Sequence, residues 1–235
     1  MPYRARPPGE VLPDSVASVQ WTVLVPVRAL PAAKSRLAAE VPPAWHAELV
    51  RAIRADSLDA VRATPQVARL VIVADRPGVD GAEHVLVQHS SGLNGALRDG
   101  ARLAGRRWPG DGVVALVGDV PALRAEELSA ALDQAAAVGS GYVPDTAGTG
   151  TTLLAAAPGH RFVPAFGIDS AARHARRAAP LTAGPGLRQD VDTLADLLAA
   201  ARLGLGERTA TVISDAGLLA GSPAVHPDGA RCCRD

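Results

Sequence analysis

An α/β fold, a mostly parallel sheet flanked by helices on both faces, is what this 235-residue sequence predicts. Short Val- and Leu-rich runs recur along the chain and stop at Pro, Gly or polar residues, as strands buried on both faces do. Amphipathic helical stripes fall between those runs, which is the alternation of a sheet with helical crossovers. Hydrophobic residues make up 48% of the chain, enough for a substantial core in one domain.

Residues 1–20 are rich in Pro and Arg without any period and read as a flexible N-terminal extension. The domain itself spans residues 21–208. Trp21–Val27 is its first strand, followed after Pro42-Pro43 by a helix over 44–62 with Trp45, Leu49, Ile53, Leu58 and Val61 on one stripe. Leu70–Ala74, His84–Gln88 and Val113–Val117 are further strands, with a helix over Asn94–Ala104 before the last of them. Helices follow at Ala125–Val138, Ser170–Ala178 and Leu194–Leu203. Residues 209–235 read as a polar, flexible tail, ending in Pro- and Gly-punctuated sequence and the charged Arg231 to Asp235. No internal repeat interrupts this order.

Charge and cysteine usage narrow the function classes. The 24 basic and 24 acidic residues balance, which argues against a nucleic-acid partner or an anionic membrane surface. No apolar run approaches the roughly 18 residues of a membrane span, and the N-terminus lacks a signal-peptide core. The two cysteines are the adjacent Cys232 and Cys233, with no zinc spacing around them. A reduced, cytoplasmic protein is expected.

Ligands of such folds bind beyond the carboxyl ends of the strands, and the candidate residues cluster there in sequence. Lys34 is the only lysine among 24 basic residues, and it follows the first strand. A compact ammonium suits an oligophosphate in a way a planar guanidinium does not. Lys34 and Arg36, at i and i+2 in an extended loop, would point to the same side. Neither a P-loop nor a GxGxxG pattern accompanies them. Gly118 and Pro121 leave Asp119 at the mouth of the sheet, where it can hold Mg²⁺ or simply serve a turn. In extended backbone Asp190 and Asp192 project to one side about 6–7 Å apart with Val191 inward. Thr193 and Asp196 form a capping box beside them, so Asp192 is either a metal ligand or part of a helix start.

Three more segments carry donors. Asp145 to Thr152 contains two glycines and several hydroxyls, fitting either an anion-binding backbone or a hairpin turn. Phe166 to Ser170 opens a helix whose N-terminus can receive an anion, with Ser170 also a candidate N-cap. Ser91 to Gly95, with Gly92 and Asn94, can address a base or ribose, or cap the helix it precedes. The six histidines, His46, His84, His89, His160, His174 and His226, are scattered, and none receives a catalytic role. Joining two phosphates needs alignment and charge neutralisation more than a general base.

With these residues in view, the chain resembles the guanylyltransferases of coenzyme F-420 (deazaflavin) biosynthesis, which activate phosphoenolpyruvate or 2-phospho-L-lactate with GTP. The segments VLVPVRALPAAKSRLA, SGLNGALRDG, GDVPAL, PDTAGTGTTLL, FGIDSAARHARRA and LRQDVDTLADL carry the resemblance, in order, over roughly residues 20–208. It implies a nucleotide-diphospho-sugar transferase-like (Rossmann-like) fold and a GTP- and Mg²⁺-dependent nucleotidyltransferase. By position it puts metal aspartates at Asp119, Asp190 and Asp192, acceptor contacts at Thr151, Gly167 and Ser170, and the triphosphate lysine at Lys34. Arg36 would join Lys34 on the triphosphate, and Gly92 with Asn94 would lie near the guanine. The family often has lysine at the position of Arg28 and glycine at that of Asp169. The Arg- and Ala-heavy composition suggests a high-GC genome, and the resemblance, through the family's actinobacterial members, then implies phosphoenolpyruvate as acceptor, with 2-phospho-L-lactate and 3-phospho-D-glycerate as alternatives. The product would pass to a downstream transferase. Transfer to molybdopterin lacks its usual Gly-rich loop here, and a catalytically inactive GTP-binding partner subunit is the alternative of another class.

Overall fold

The computed structural model describes residues 19–27, 34–75, 84–87, 90 and 92–218. The strands are β1 (Trp21–Val27), β2 (Val67–Ala74), β3 (His84–Val87), β4 (Gly112–Leu116), β5 (Ser140–Pro144), β6 (Thr151–Ala156) and β7 (Ala179–Pro180). The helices are α1 (Ser35–Ala38), α2 (Pro43–Arg62), α3 (Leu93–Arg107), α4 (Ala125–Val138), α5 (Ser170–His174), α6 (Pro185–Arg188), α7 (Leu194–Leu203) and α8 (Glu207–Asp215). All seven strands join one sheet in the order β3-β2-β1-β4-β6-β5-β7.

Period-two side-chain alternation explains how the sheet takes helices on both faces. Val23, Val25 and Val27 of β1 meet Leu58 and Val61 of α2 and Leu128 and Leu132 of α4 in one core. Leu24, one residue out of phase, packs instead with Val71, Val73 and, from α3, Leu97. A third cluster joins Trp45, Leu49 and Ile53 of α2 to α7 and α8. Each fully buried Val or Leu in these clusters contributes about 1.5–3 kcal/mol of transfer free energy, so the two faces hold the sheet rigid beneath its loops.

The sheet is mostly parallel, as expected: β1 runs parallel to β2 and β4, and β3 to β2. β6 is antiparallel to both β4 and β5. Three strands, β5, β6 and β7, go beyond the pattern read from sequence. β6 is buried at every position and, after Thr151 and Thr152, holds only Leu and Ala, so it shows no alternation and β-branched residues only at its start. Pairing on both edges makes it a strand. The order also defines a crevice, because β2 follows β1 on one side while β4 lies on the other; the loops diverge between them.

The expected domain boundary at residue 208 falls inside α8. Val212 and Ile213 are buried against α2, and Asp56 of α2 accepts from the amides of Arg208 at 3.2 Å and Thr209 at 2.8 Å. A carboxylate there satisfies orphan amides and complements the helix dipole. This capping group comes from a distant helix, and the local N-cap is Gly206, so the sequence around residue 207 carries no start signal. Residues 1–18 and 219–235 of the two expected extensions lie outside the described residues, as do Arg28, Gln88, His89, Ser91 and His226. Among the described residues no helix is long and apolar enough to cross a membrane.

Candidate active site

The crevice between β1 and β4 holds two adjoining cavities at the carboxyl ends of those strands. One, of about 520 Å³, is lined by Lys34, Ser35, Arg36, Gly118, Asp119 and Asp192 among others. The second, of about 490 Å³, shares Gly118 and Asp119 and extends to Asp75, Gly92 and Leu93. Gly118 is needed where the chain leaves β4: a Cβ there would stand 2.9 Å from a methyl of Val25. That close approach turns Asp119 into the crevice.

Lys34 is the electrostatic centre. It takes a left-handed conformation (φ 58°) as the residue before α1. Its ammonium donates to Oδ2 of Asp119 and, at 2.8 Å, to Oδ1 of Asp192. Burial pulls the ammonium's pKa down, but Asp119 and then Asp192 more than offset it, and the net shift is upward. Asp190 behaves oppositely. Its pKa rises to about 7, first from burial and then from the neighbouring charges of Asp119 and Asp192, with Lys34 only partly compensating.

The aspartate pair is positioned from below. Val191 is fully buried, and its amide donates to the carbonyl of Asp119 at 3.0 Å. Thr193 and Asp196 cap α7, so the carboxylate of Asp192 is not spent on the helix start. Gln189 and Arg188 tie this segment to the β5–β6 turn through Thr146, Pro144 and Asp145.

That turn leads to the second group of candidate residues. Thr151 opens β6, and its hydroxyl oxygen lies 3.0 Å from Oγ of Ser170 and 2.9 Å from Nδ1 of His174, all three buried. Ala171 hooks α5 to the turn by donating to the carbonyl of Thr149 at 3.0 Å. Gly167 has φ 119°, a conformation that other residues rarely adopt, and stands exposed.

No protein-family model matches the chain. Curated relatives do. It is 46% identical over 211 residues to a phosphoenolpyruvate guanylyltransferase of Salinispora arenicola, covering 86% of this chain and 97% of that one. A protein of the same name from Geodermatophilus obscurus is 44% identical over 214 residues, with coverage of 86% and 97%. The chain belongs to the phosphoenolpyruvate guanylyltransferase family. Among solved structures, a Desulfovibrio desulfuricans G20 protein assigned as a nucleotide-diphospho-sugar transferase superposes with a TM-score of 0.64 at 19% identity, covering 85% of this chain and 96% of that one. A 4-diphosphocytidyl-2C-methyl-D-erythritol synthase superposes at 0.51 and 13% identity, covering 79% and 98%. Those two likenesses establish the nucleotide-diphospho-sugar transferase-like fold.

For a member of the phosphoenolpyruvate guanylyltransferase family, the expected site residues fall into two groups. Lys34, Arg36, Gly92, Asp119 and Asp192 line the crevice, and Asp190 adjoins it. Thr151, Gly167 and Ser170 gather around α5 and the start of β6. Several local expectations change. The segment carrying Lys34 and Arg36 is not extended, because Ser35–Ala38 is helical; the two cations share a cavity through that turn rather than by strand alternation. Among the Asp145–Thr152 candidates the hairpin turn prevails. The amides of Thr149 and Gly150 are taken by the carboxylate of Asp145 at 3.0 and 2.9 Å, so they are not open to an anion. Helix α5 stops at His174, short of Ala178, and its N-cap is the left-handed Asp169 rather than Ser170. Five residues add little dipole, so an anion held there would rely on side chains.

Asn94 also takes a different place. Gly92 is the cap of α3, and the Asn94 amide clamps the backbone of Phe166, donating to its carbonyl at 2.9 Å and accepting from its amide at 2.8 Å. It therefore braces the segment leading to Gly167 against α3. His174 is the residue that sequence reasoning passed over. The available signal is its spacing: four residues after Ser170 puts both on one helical face.

The donor set suits a hard divalent cation in part. Asp119 and Asp192 both bond a single ammonium, Asp190 feels the charges of all three groups, and Oδ1 of Asp119 is buried without a hydrogen-bond partner. Among the described residues no three His, Cys, Asp or Glu side chains already form a metal cage. Lys34 occupies two of the carboxylate oxygens that a cation would want.

Proposed function

We propose that this chain transfers GMP from GTP to the phosphate of phosphoenolpyruvate, forming enolpyruvyl-diphospho-guanosine and pyrophosphate. The observation that carries the reading is the convergence of Lys34, Asp119 and Asp192 in the β1/β4 crevice. Family membership makes GTP and phosphoenolpyruvate the substrates to test first.

A phosphate oxygen of the acceptor attacks the α-phosphorus of GTP in line, forming one P–O bond as the bond to the β-phosphate oxygen breaks. The attacking group is already an anion, so no proton has to leave it. Lys34, with Arg36 in the same cavity, receives the negative charge that develops on the departing pyrophosphate. Gly92 and Leu93, in the adjoining cavity, flank the nucleoside, while Asn94 holds the acceptor loop to the same helix. Thr151, Gly167 and Ser170 hold the phospho-acid. Asp119, Asp190 and Asp192 would hold Mg²⁺, which when bound neutralises phosphate charge and fixes the triphosphate. The reading places the reaction in the cytoplasm and hands the reactive product to a downstream transferase.

Pyrophosphate release from GTP and Mg²⁺ tests it, with phosphoenolpyruvate beside 2-phospho-L-lactate and 3-phospho-D-glycerate. Release is expected with phosphoenolpyruvate. GTP binding without release from any acceptor would overturn the catalytic reading in favour of a nucleotide-binding partner subunit.

A further inference from the structure

We propose that His174 is a positioning residue that keeps one hydroxyl hydrogen of the Thr151–Ser170 pair available to donate to the anionic acceptor. The inference rests on the acceptor site read above and adds to it the group that sets its polarity.

Hydrogen-bond chemistry fixes the direction. Nε2 of His174 lies 2.9 Å from the amide of Ala165, and an amide can only donate, so Nε2 must present its lone pair. A neutral ring then carries its hydrogen on Nδ1 and donates it to the Thr151 oxygen 2.9 Å away. Ser170 and Thr151 share one further hydrogen bond at 3.0 Å. Of their two hydroxyl hydrogens, one closes that bond and the other is left over. The opposite ring tautomer would consume that spare hydrogen on Nδ1. A carboxylate or phosphate oxygen only accepts, so a site with a spare donor fits it.

The ring is held in this state. It is buried, and Phe166 meets it edge-on with centroids 5.0 Å apart. Burial first, and then the Arg173 charge, lower its pKa to about 4, so it stays neutral near physiological pH. The same ring also joins β6, α5 and the Ala165–Phe166 segment, through which Asn94 reaches back to α3.

The test separates donation from packing. His174→Gln places its amide near the Nε2 position, keeps a partner for Ala165 and loses the donor to Thr151. His174→Asn places an amide near Nδ1 and restores that donor. With the full-length enzyme, His174→Gln should raise the KM for phosphoenolpyruvate about tenfold or more with the Kd for GTP unchanged, and His174→Asn should recover most of it. Equal effects of both variants, or a change confined to melting temperature, would overturn the proposal. Thr151→Val is the control for the underlying reading: an unchanged phosphoenolpyruvate KM there removes the acceptor site, and His174 with it. Ring-nitrogen NMR of the wild-type protein gives a readout independent of any variant. A hydrogen on Nδ1 near neutral pH supports the proposal, and one on Nε2 overturns it.

Discussion

The amide of Val191 donates to the carbonyl of Asp119 at 3.0 Å, and through that bond two segments distant in sequence present their carboxylates together. Val191 is fully buried between Asp190 and Asp192, so its side chain anchors the pair to the core while its neighbours remain at the crevice. Asp119 and Asp192 then reach the same ammonium of Lys34.

Asp190→Asn should abolish pyrophosphate release and yet stabilise the metal-free protein at alkaline pH. The carboxyl titrates near pH 7 in the fold, against about 3.9 in an unfolded chain, first because it is buried and then because Asp119 and Asp192 repel its charge. The native state therefore binds more protons than the unfolded state between those values. Its contribution to stability is fully present below about pH 4 and is lost as pH rises through about 7. Thermal melts across that range should show the variant ahead of wild type at pH 8 and level with it at acid pH. Parallel melting curves at every pH would refute the assignment.

Lys34 acts as an internal cation for its carboxylates. Lys34→Met should lower the melting temperature of the metal-free protein, because Asp119 and Asp192 lose their shared partner. Added Mg²⁺ should then raise the melting temperature of the variant more than that of wild type. An equal Mg²⁺ increment in both would show that ammonium and metal do not share those oxygens. Lys34→Arg should keep the fold but lose about tenfold or more in turnover, since a guanidinium cannot reproduce a point charge in this geometry.

Asn94 should report on the acceptor more than on the nucleotide. Its amide is engaged in both directions with Phe166, one residue before Gly167. In Asn94→Ala the KM for the acceptor should rise several-fold, roughly as expected for two lost neutral hydrogen bonds, while GTP affinity changes little. A selective loss of GTP affinity would return Asn94 to the base-reading role expected from its sequence position.

Asp169 is exposed and left-handed, with φ 52°. That conformation favours glycine, and aspartate is among the few other residues that tolerate it. Asp169→Gly should leave stability within about 1 kcal/mol of wild type, as relieved strain offsets added chain entropy. Removing a carboxylate beside the proposed acceptor site should also lower the acceptor KM at low ionic strength, with the gain shrinking in salt. A salt-independent KM would place Asp169 too far from the acceptor to matter.

Much of this candidate site was legible in the chain before any fold was known. The unique Lys34, Asp119 after a Gly at a strand end, and the Asp190-Val191-Asp192 alternation are local signals, because residue type and spacing alone dictate which side chains face out of a strand or loop. The same holds for β1, α4 and α7, whose bounds follow directly from hydrophobic period and punctuation. What tertiary structure alone decided are the features whose partners lie far along the chain. β6 is a strand because β4 and β5 pair with it, α8 starts where Asp56 caps it, and Asn94 is a brace because Phe166 lies against it. His174 belongs with these. Its tautomer is set by the amide of Ala165 and its purpose by the hydroxyl of Thr151, and a hydrogen bond between distant residues leaves no period in the sequence.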